Sequence, residues 1–320
     1  MGAELVPSPE YALAPGAEGP ERNPCAAYIL SLTSEGSRRT MLQSLKVVAG
    51  WLNPNANPMS FPWGALRRSH LLAIRAHLAE CYAPASSNKM LCAVRGCVRE
   101  AWRLGQIPEN DFRQAIDVKG IRGESLASGR ALSMGEISAL LGACGADPSP
   151  AGTRDGALLA ILFGTGVRRG EVVGLDLADF DPQTGQLKVR KGKGRKDRIV
   201  YCENSGGAWL KKWISIRGEE PGPLLLPIAK DGAVGTRRLS TQAIYSTLQK
   251  RAAQAGIAHL SPHDLRRTCI TELLTMGADA LVVSRLAGHA SVQTTMRYDL
   301  RPESAKRSAA GLLHMPAPPA

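Results

Sequence analysis

Nowhere in the 320 residues is there an apolar run of about 18, the length a helix needs to cross a bilayer. No transmembrane helix is therefore expected. The N-terminus also lacks a basic stretch followed by an apolar core, so a secretory signal is not expected either. Cysteine is present but unpaired in pattern. Cys25, Cys81, Cys92, Cys97, Cys144, Cys202 and Cys269 make an odd number, and no Cys-x-x-Cys pair occurs. That argues against a disulfide framework and for buried thiols in a reducing cytoplasm. Cys and His are also too dispersed for a structural zinc site. Acidic residues are scarce, 28 against 40 Lys plus Arg, which leaves a formal charge of +12. An excess of this sign suits a polyanionic partner, and it speaks of association and not of fold.

The length allows a real core and fits two domains better than one. Residues 1–22 are rich in Pro and Gly, with Pro7, Pro9, Pro15, Gly16, Gly19 and Pro20, and read as a mobile tail. Residues 23–116 carry helical periodicity. Ser37-Arg38-Arg39-Thr40 leads into Met41, Leu42, Leu45, Val48 and Trp51; Leu71 to Tyr82 repeats the stripe. Ser86-Ser87-Asn88 offers a cap for a longer helix bearing Met90, Leu91, Val94, Val98 and Trp102, with Gly105 to stop it. Arg38, Arg39, Lys89, Arg95 and Arg99 give this helical domain its positive charge and are its candidate DNA contacts. Residues 117–130, rich in Gly, Ser and charge, read as the linker, with an ordinary surface loop as the competing reading.

Residues 131–320 read as a mostly helical second domain with one small sheet. Ser133 and Glu136 have capping-box spacing. Leu187–Val189 and Arg198–Tyr201 look like strands flanking a basic turn, and seven of the eleven residues from Lys188 to Arg198 are basic. Ser240 caps a helix through Ile244 and Leu248. Ser261-Pro262-His263-Asp264 is a well-defined helix start, with a serine cap, proline in the first turn and an acid at the positive end.

The chemistry lies in this domain. Arg168 stands in Gly166-Val167-Arg168-Arg169-Gly170-Glu171 and Lys193 in Gly192-Lys193-Gly194. His263-Asp264-Leu265-Arg266, Gly288-His289 and Tyr298 follow. Two arginines, a lysine and two histidines are suited to surround a phosphate, and tyrosine offers an oxygen to attack it. A guanidinium fork matches phosphate oxygens and keeps its charge. His263 and Arg266, one helical turn apart, can face one phosphate, with the histidine placed for proton transfer or hydrogen bonding. His289 would donate to a nonbridging oxygen. Lys193 at a turn tip is a reasonable general acid, with a generic phosphate-binding hairpin as its rival. Glu171 reads as an orienting carboxylate on the helical face of Arg168, provided that the helix continues that far. From spacing alone, neither Arg168 over Arg169 nor Arg266 over Arg267 can be chosen, and Lys191, Lys193 and Lys196 are equivalent. A metal-dependent nuclease would need converging carboxylates, whereas Glu171, Asp197 and Asp264 are scattered among cations.

All six positions, in this order, resemble the tyrosine recombinase (phage integrase) family, in particular the Xer-type site-specific recombinases. The resemblance selects Arg168, Lys193, His263, Arg266, His289 and Tyr298 as catalytic, with Glu171 in support. It leaves Arg169, Lys191, Arg195, Lys196 and Arg267 as further DNA contacts. It implies a mainly α fold: a helical, SAM-like core-binding domain, then a mostly helical catalytic domain with a small antiparallel sheet. It further implies site-specific recombination through a 3′-phosphotyrosyl intermediate with no cofactor, metal or ATP. The implied partner is a double-stranded recombination site, bound by a homotetramer or alongside a paralogous recombinase. Residues Pro302 to Leu313 are a candidate for packing on a neighbouring protomer, and equally for packing within the chain. A type IB-like topoisomerase and a non-catalytic DNA-binding accessory protein are the alternatives. Cytoplasmic location, on the nucleoid when DNA-bound, is expected.

Overall fold

A computed structural model describes residues 22–123, 129–190 and 197–299. Two compact units, Met1–Leu126 and Ala127–Ala320, make up the chain. Both are dominated by helices, and the described strands form one two-stranded antiparallel sheet. No helix among the described residues is long and apolar enough to cross a membrane.

Among its described residues the first unit holds five α-helices: α1 (Pro24–Ser31), α2 (Glu35–Leu52), α3 (Arg68–Cys81), α4 (Pro84–Arg103) and α5 (Glu109–Ile116). Asn23 caps α1 by accepting from the backbone N–H groups of Cys25 and Ala26, with Pro24 in the first turn. Leu45 and Val48 of α2, Leu71 and Ile74 of α3, and Leu91 and Val94 of α4 bury one stripe each around Trp63. Ser34 caps α2, accepting from the Ser37 backbone N–H. One helix start differs from the sequence expectation. Pro84 opens α4, so Ser87 lies inside the helix and its hydroxyl donates to the Leu78 carbonyl, 2.8 Å away. Proline supplies a preset φ at the first helical position, and this outweighs the capping preference of the serines.

Two assignments in this region take a different form in the structure. Arg95 is half-buried, and its guanidinium donates to the Val118 carbonyl, so it fastens the chain that follows α5 and does not face outward. Residues 117–123 of the expected linker pack on this unit. Val118 is buried, and Asn88 both donates to the Ile121 carbonyl and accepts from its N–H, each at 2.8 Å. A buried valine, the packed Ile121, the Asn88 amide, and Arg95 and Arg75 donating to the Val118 and Lys119 carbonyls together dock a segment of largely polar composition. Residues 124–128 lie outside the described residues.

The second unit is built on α7 (Pro150–Thr165), whose residues are almost all buried. Around it stand α6 (Met134–Gly145), α9 (Asn204–Arg217), α10 (Thr241–Gln254) and α11 (Pro262–Thr275). Leu158, Ile161 and Leu162 meet Leu210, Trp213, Ile244, Leu248 and Leu265 in one core. Arg251, fully buried, is neutralised by Asp147 and Asp155 at 2.7 Å each, which ties α10 to the helices before it. The sheet pairs β1 (Gln186–Val189) with β2 (Arg198–Tyr201), Val189 opposite Arg198. Three shorter α-helices follow among the described residues of the unit: α8 (Arg169–Val173), α12 (Ala280–Ala287) and α13 (Val292–Met296). The capping devices expected at Ser133, Ser240 and Ser261 all form.

Candidate active site

Arg168 does not continue α7. Gly166, left-handed at φ 61°, ends that helix, and Arg168 becomes the N-cap of α8. Glu171 is three residues into the new helix, and its carboxylate accepts from the Arg168 backbone N–H at 2.8 Å and from Arg168 Nη1 at 2.9 Å. The expected pairing on one continuous helical face is thus corrected to a capping contact at a helix start. Arg168 Nη2 donates to the Gly288 carbonyl at 2.7 Å, which joins α8 to the turn that carries His289.

Glu171 has a second guanidinium partner, one not among the site residues expected from the sequence. Arg198, first residue of β2, donates to both carboxylate oxygens, at 3.0 and 2.7 Å. Burial alone would raise the Glu171 pKa; the Arg198 hydrogen bonds, then the Arg168 backbone N–H, pull it down to about 2. The only sequence signal was position, the last cation of the basic run and the first of a strand.

The Ser261 cap and Pro262 start α11 so that His263 stands in its first turn and Arg266 about one turn further on. Arg266 is 3 % exposed. It donates from Nη1 to the Gly166 carbonyl, while Nη2 is buried with no hydrogen-bond partner among the described residues. Burial, and next the charge of Arg168, push its pKa down to about 10. A desolvated cation with an open donor, flanked by a second cation, calls for an anion.

His263 is exposed as a residue, yet partial burial of its ring and then the charges of Arg267 and Arg266 lower its pKa below the ordinary imidazole range. His289 follows Gly288, the left-handed C-cap of α12 at φ 65°. A Cβ at Gly288 would stand 3.0 Å from the Arg198 guanidinium, so glycine is required there for backbone and for space. Burial first, and then Arg266 and Arg168, lower the His289 pKa to about 4. Its Nδ1 is 2.8 Å from Thr295 Oγ1, which fixes the ring.

Tyr298 follows α13. Its ring packs against the small cluster of Ile270, Leu274, Val283 and Ala287, and the Thr271 hydroxyl donates to its carbonyl at 3.4 Å. The hydroxyl is 3.4 Å from His263 Nε2, the ring lies under the Arg267 guanidinium at 5.4 Å, and the His289 ring is 6.0 Å away. Beside this group opens a cavity of about 440 Å³ lined by Arg168, Arg169, Tyr245, Ser261, His263 and Arg266. Five of the six positions singled out as catalytic therefore converge. Lys193, with Lys191, Arg195 and Lys196, lies outside the described residues. Among the described residues no three His, Cys, Asp or Glu side chains gather in metal-ligand geometry. In the first unit Lys89 and Arg99 are exposed, Arg39 pairs with Glu35, and Arg38 donates to the Leu32 carbonyl.

Buried Arg266, half-buried Arg168, the two histidines and Tyr298 thus stand in one group, a set of residue types that resembles a tyrosine recombinase site. The chain belongs to the phage integrase family, whose profile matches residues 130–302. It is 35% identical to the tyrosine recombinase XerD of Xanthomonas axonopodis pv. citri over 235 residues, covering 68% of this chain and 72% of that protein. It is 33% identical to XerD of Pseudomonas aeruginosa over 71% of this chain and 76% of that one. With XerC of Corynebacterium glutamicum the identity is 37%, and the match spans about half the length of either chain, 45% of this one and 46% of that one. In fold it is similar to the XerH site-specific recombinase bound to its difH substrate, with TM-score 0.59 and 20% identity over 86% of this chain and 79% of that one. It is likewise similar to a lambda integrase dimer bound to a core site, with TM-score 0.62 and 16% identity over 85% and 92% of the two chains.

Proposed function

We propose that this chain is a site-specific recombinase that cleaves and rejoins duplex DNA through Tyr298. The observation that carries the reading is the Tyr298 hydroxyl beside a neutral His263, which with Arg266 lines the cavity, Arg266 holding a buried donor without a partner among the described residues. Tyr298 Oη attacks the scissile phosphorus, and its proton passes to His263 Nε2. The bond from phosphorus to the 5′ oxygen breaks. A 3′-phosphotyrosyl link forms, and the departing oxygen takes a proton, which we assign to Lys193. Arg168 and Arg266 hold the nonbridging oxygens as charge grows on them, and His289 donates a further hydrogen bond. A 5′ hydroxyl from a partner strand then reverses the step, so the bond energy is conserved without ATP.

The DNA partner is a duplex recombination site, bound by protomers in a homotetramer or together with a related recombinase, and Pro302 to Leu313 is the candidate segment for the contact between them. Integration and excision of a mobile element, or resolution of replicon dimers, are the roles in which such a step serves. The curated relatives named for XerC and XerD, and the DNA-bound structures of similar fold, support this reading.

A nicked cognate duplex that loses its 5′ fragment traps the intermediate. Wild-type protein in EDTA should become covalently attached, and Tyr298→Phe should bind the same DNA without attaching. Mass spectrometry of the DNA-linked peptide should return Tyr298. Attachment through another residue, Tyr245 included, would overturn the assignment. Relaxation of sequence-unrelated supercoiled DNA by isolated monomers would favour a topoisomerase.

A further inference from the structure

We propose that Arg198 is a positioning residue for phosphoryl transfer: it fixes Glu171, and through it Arg168, and holds the turn that presents His289. The inference rests on the recombinase reading above and adds to it a residue that never touches the DNA.

The geometry is specific. All three guanidinium nitrogens of Arg198 are engaged inward: Nη1 and Nη2 on Glu171, and Nε on the Leu286 carbonyl at 2.9 Å. Its side chain is 12 % exposed. An arginine of a basic hairpin is ordinarily free to meet a DNA phosphate; this one has spent its fork on the protein. Arg168 meets the same carboxylate and donates to the Gly288 carbonyl. Two guanidiniums joined by one carboxylate therefore grip the last turn of α12, at carbonyls 286 and 288, immediately before His289. Carbonyls at a helix C-terminus lack intrahelical partners and attract cations, which is why this end suits two arginines. The missing side chain of Gly288 leaves the space that Arg198 fills.

Charge accounting gives the second argument. Arg168 with Glu171 alone would be a neutral pair, and a bidentate carboxylate would compete with the scissile phosphate for the same fork. Arg198 takes one full face of that carboxylate. The trio keeps one net positive charge, and Arg168 retains donor capacity for the phosphate. The hydrogen bonds of Arg198 are also the largest influence holding Glu171 ionised. Arg198→Met should thus disturb both where Arg168 points and how much charge it offers.

The test uses the full chain with Arg198→Met and Arg198→Lys, a nicked cognate duplex at saturating concentration, and two readouts: duplex affinity and the single-turnover rate of covalent attachment. A small displacement of the clamp should slow attachment in Arg198→Met by on the order of 10- to 100-fold, with affinity unchanged. The Met variant should also lose rate more steeply than wild type at acid pH, because Glu171 returns toward the ordinary carboxylate range and its protonation adds to that of His263. Arg198→Lys should recover part of the rate, because it keeps charge and loses the fork. Millimolar guanidinium should recover part of it in Arg198→Met, where sodium chloride of equal ionic strength does not. An unchanged rate, or a loss confined to affinity, would overturn the inference, the latter marking Arg198 as a DNA contact. If Arg198→Met fails to fold, Arg198→Lys decides by the same rate and affinity comparison. Failure of wild type to attach would instead sink the recombinase reading itself.

Discussion

Tyr298 and His263, 35 residues apart in the chain, meet hydroxyl to Nε2 at 3.4 Å. The contact joins the end of one short helix to the first turn of another, and in the proposed mechanism it is the path by which the proton leaves the tyrosine. Burial and the neighbouring arginines keep that imidazole neutral, so its ring nitrogen can accept. Wild-type attachment should therefore hold its rate through neutrality and fall only once the pH drops below the ordinary imidazole range. His263→Leu removes the acceptor. Its rate should be lower at neutrality and keep climbing toward alkaline pH, where hydroxide can take the proton instead. Parallel profiles for the two proteins would refute the proton path.

His289 makes a stability prediction. Its pKa is lowered from 6.5 to about 4. An imidazole that protonates more easily in the unfolded chain draws the equilibrium toward unfolding as the pH falls, so the stability is present above 6.5 and lost on the way down to about 4. Thermal midpoints of wild type should decline across this interval, and those of His289→Gln should decline less. Glu171 and Asp147, both lowered to about 2, act in a more acid window and do not confuse the comparison.

The open donor of Arg266 predicts that a small tetrahedral oxyanion stabilises the protein. Vanadate bound only by the folded chain raises stability by RT ln(1 + [L]/Kd), about 2.7 kcal/mol at a hundredfold excess over Kd. Scanning fluorimetry should show the rise for wild type against chloride of matched ionic strength. Arg266→Met should show none, and should attach to DNA at least roughly 100-fold more slowly. An equal vanadate shift in both proteins would place the anion elsewhere.

Gly129 should tolerate no side chain. Its φ is +84°, and a Cβ there would fall 2.1 Å from Asp264 Oδ1, which accepts from the Arg130 N–H; Oδ2 of the same residue accepts from the Ser261 N–H that opens α11. Gly277 has a similar φ of +89° and nothing near its would-be Cβ. Gly277→Ala should cost roughly 1–2 kcal/mol from backbone conformation alone. Gly129→Ala should cost clearly more by chemical denaturation and should also slow DNA attachment, because Asp264 lies between His263 and Arg266. Equal costs would show that Asp264 yields freely.

Much of this was legible in the amino-acid order. The six motifs, the serine caps with their acidic partners and the cationic excess are local or compositional features, and local hydrogen bonding and charge can be read without coordinates. The order of Arg168, His263, Arg266, His289 and Tyr298 was enough to name a chemistry, because each residue type is limited in what it can do to a phosphate. Tertiary structure decided what depends on contacts between distant segments. The different surroundings of Arg266 and Arg267 became visible there, one guanidinium buried against Gly166 and the other laid over the Tyr298 ring. Arg95 reads as a surface charge in a helical stripe, and only the docking of Val118 turns it inward. Arg198 looks like the last cation of a basic hairpin until Glu171, 27 residues earlier, and Leu286, 88 residues later, are brought to it. Sequence specifies the charges and the caps; which charges are neutralised, and which are left to meet a phosphate, is set by burial and by the geometry of the fold.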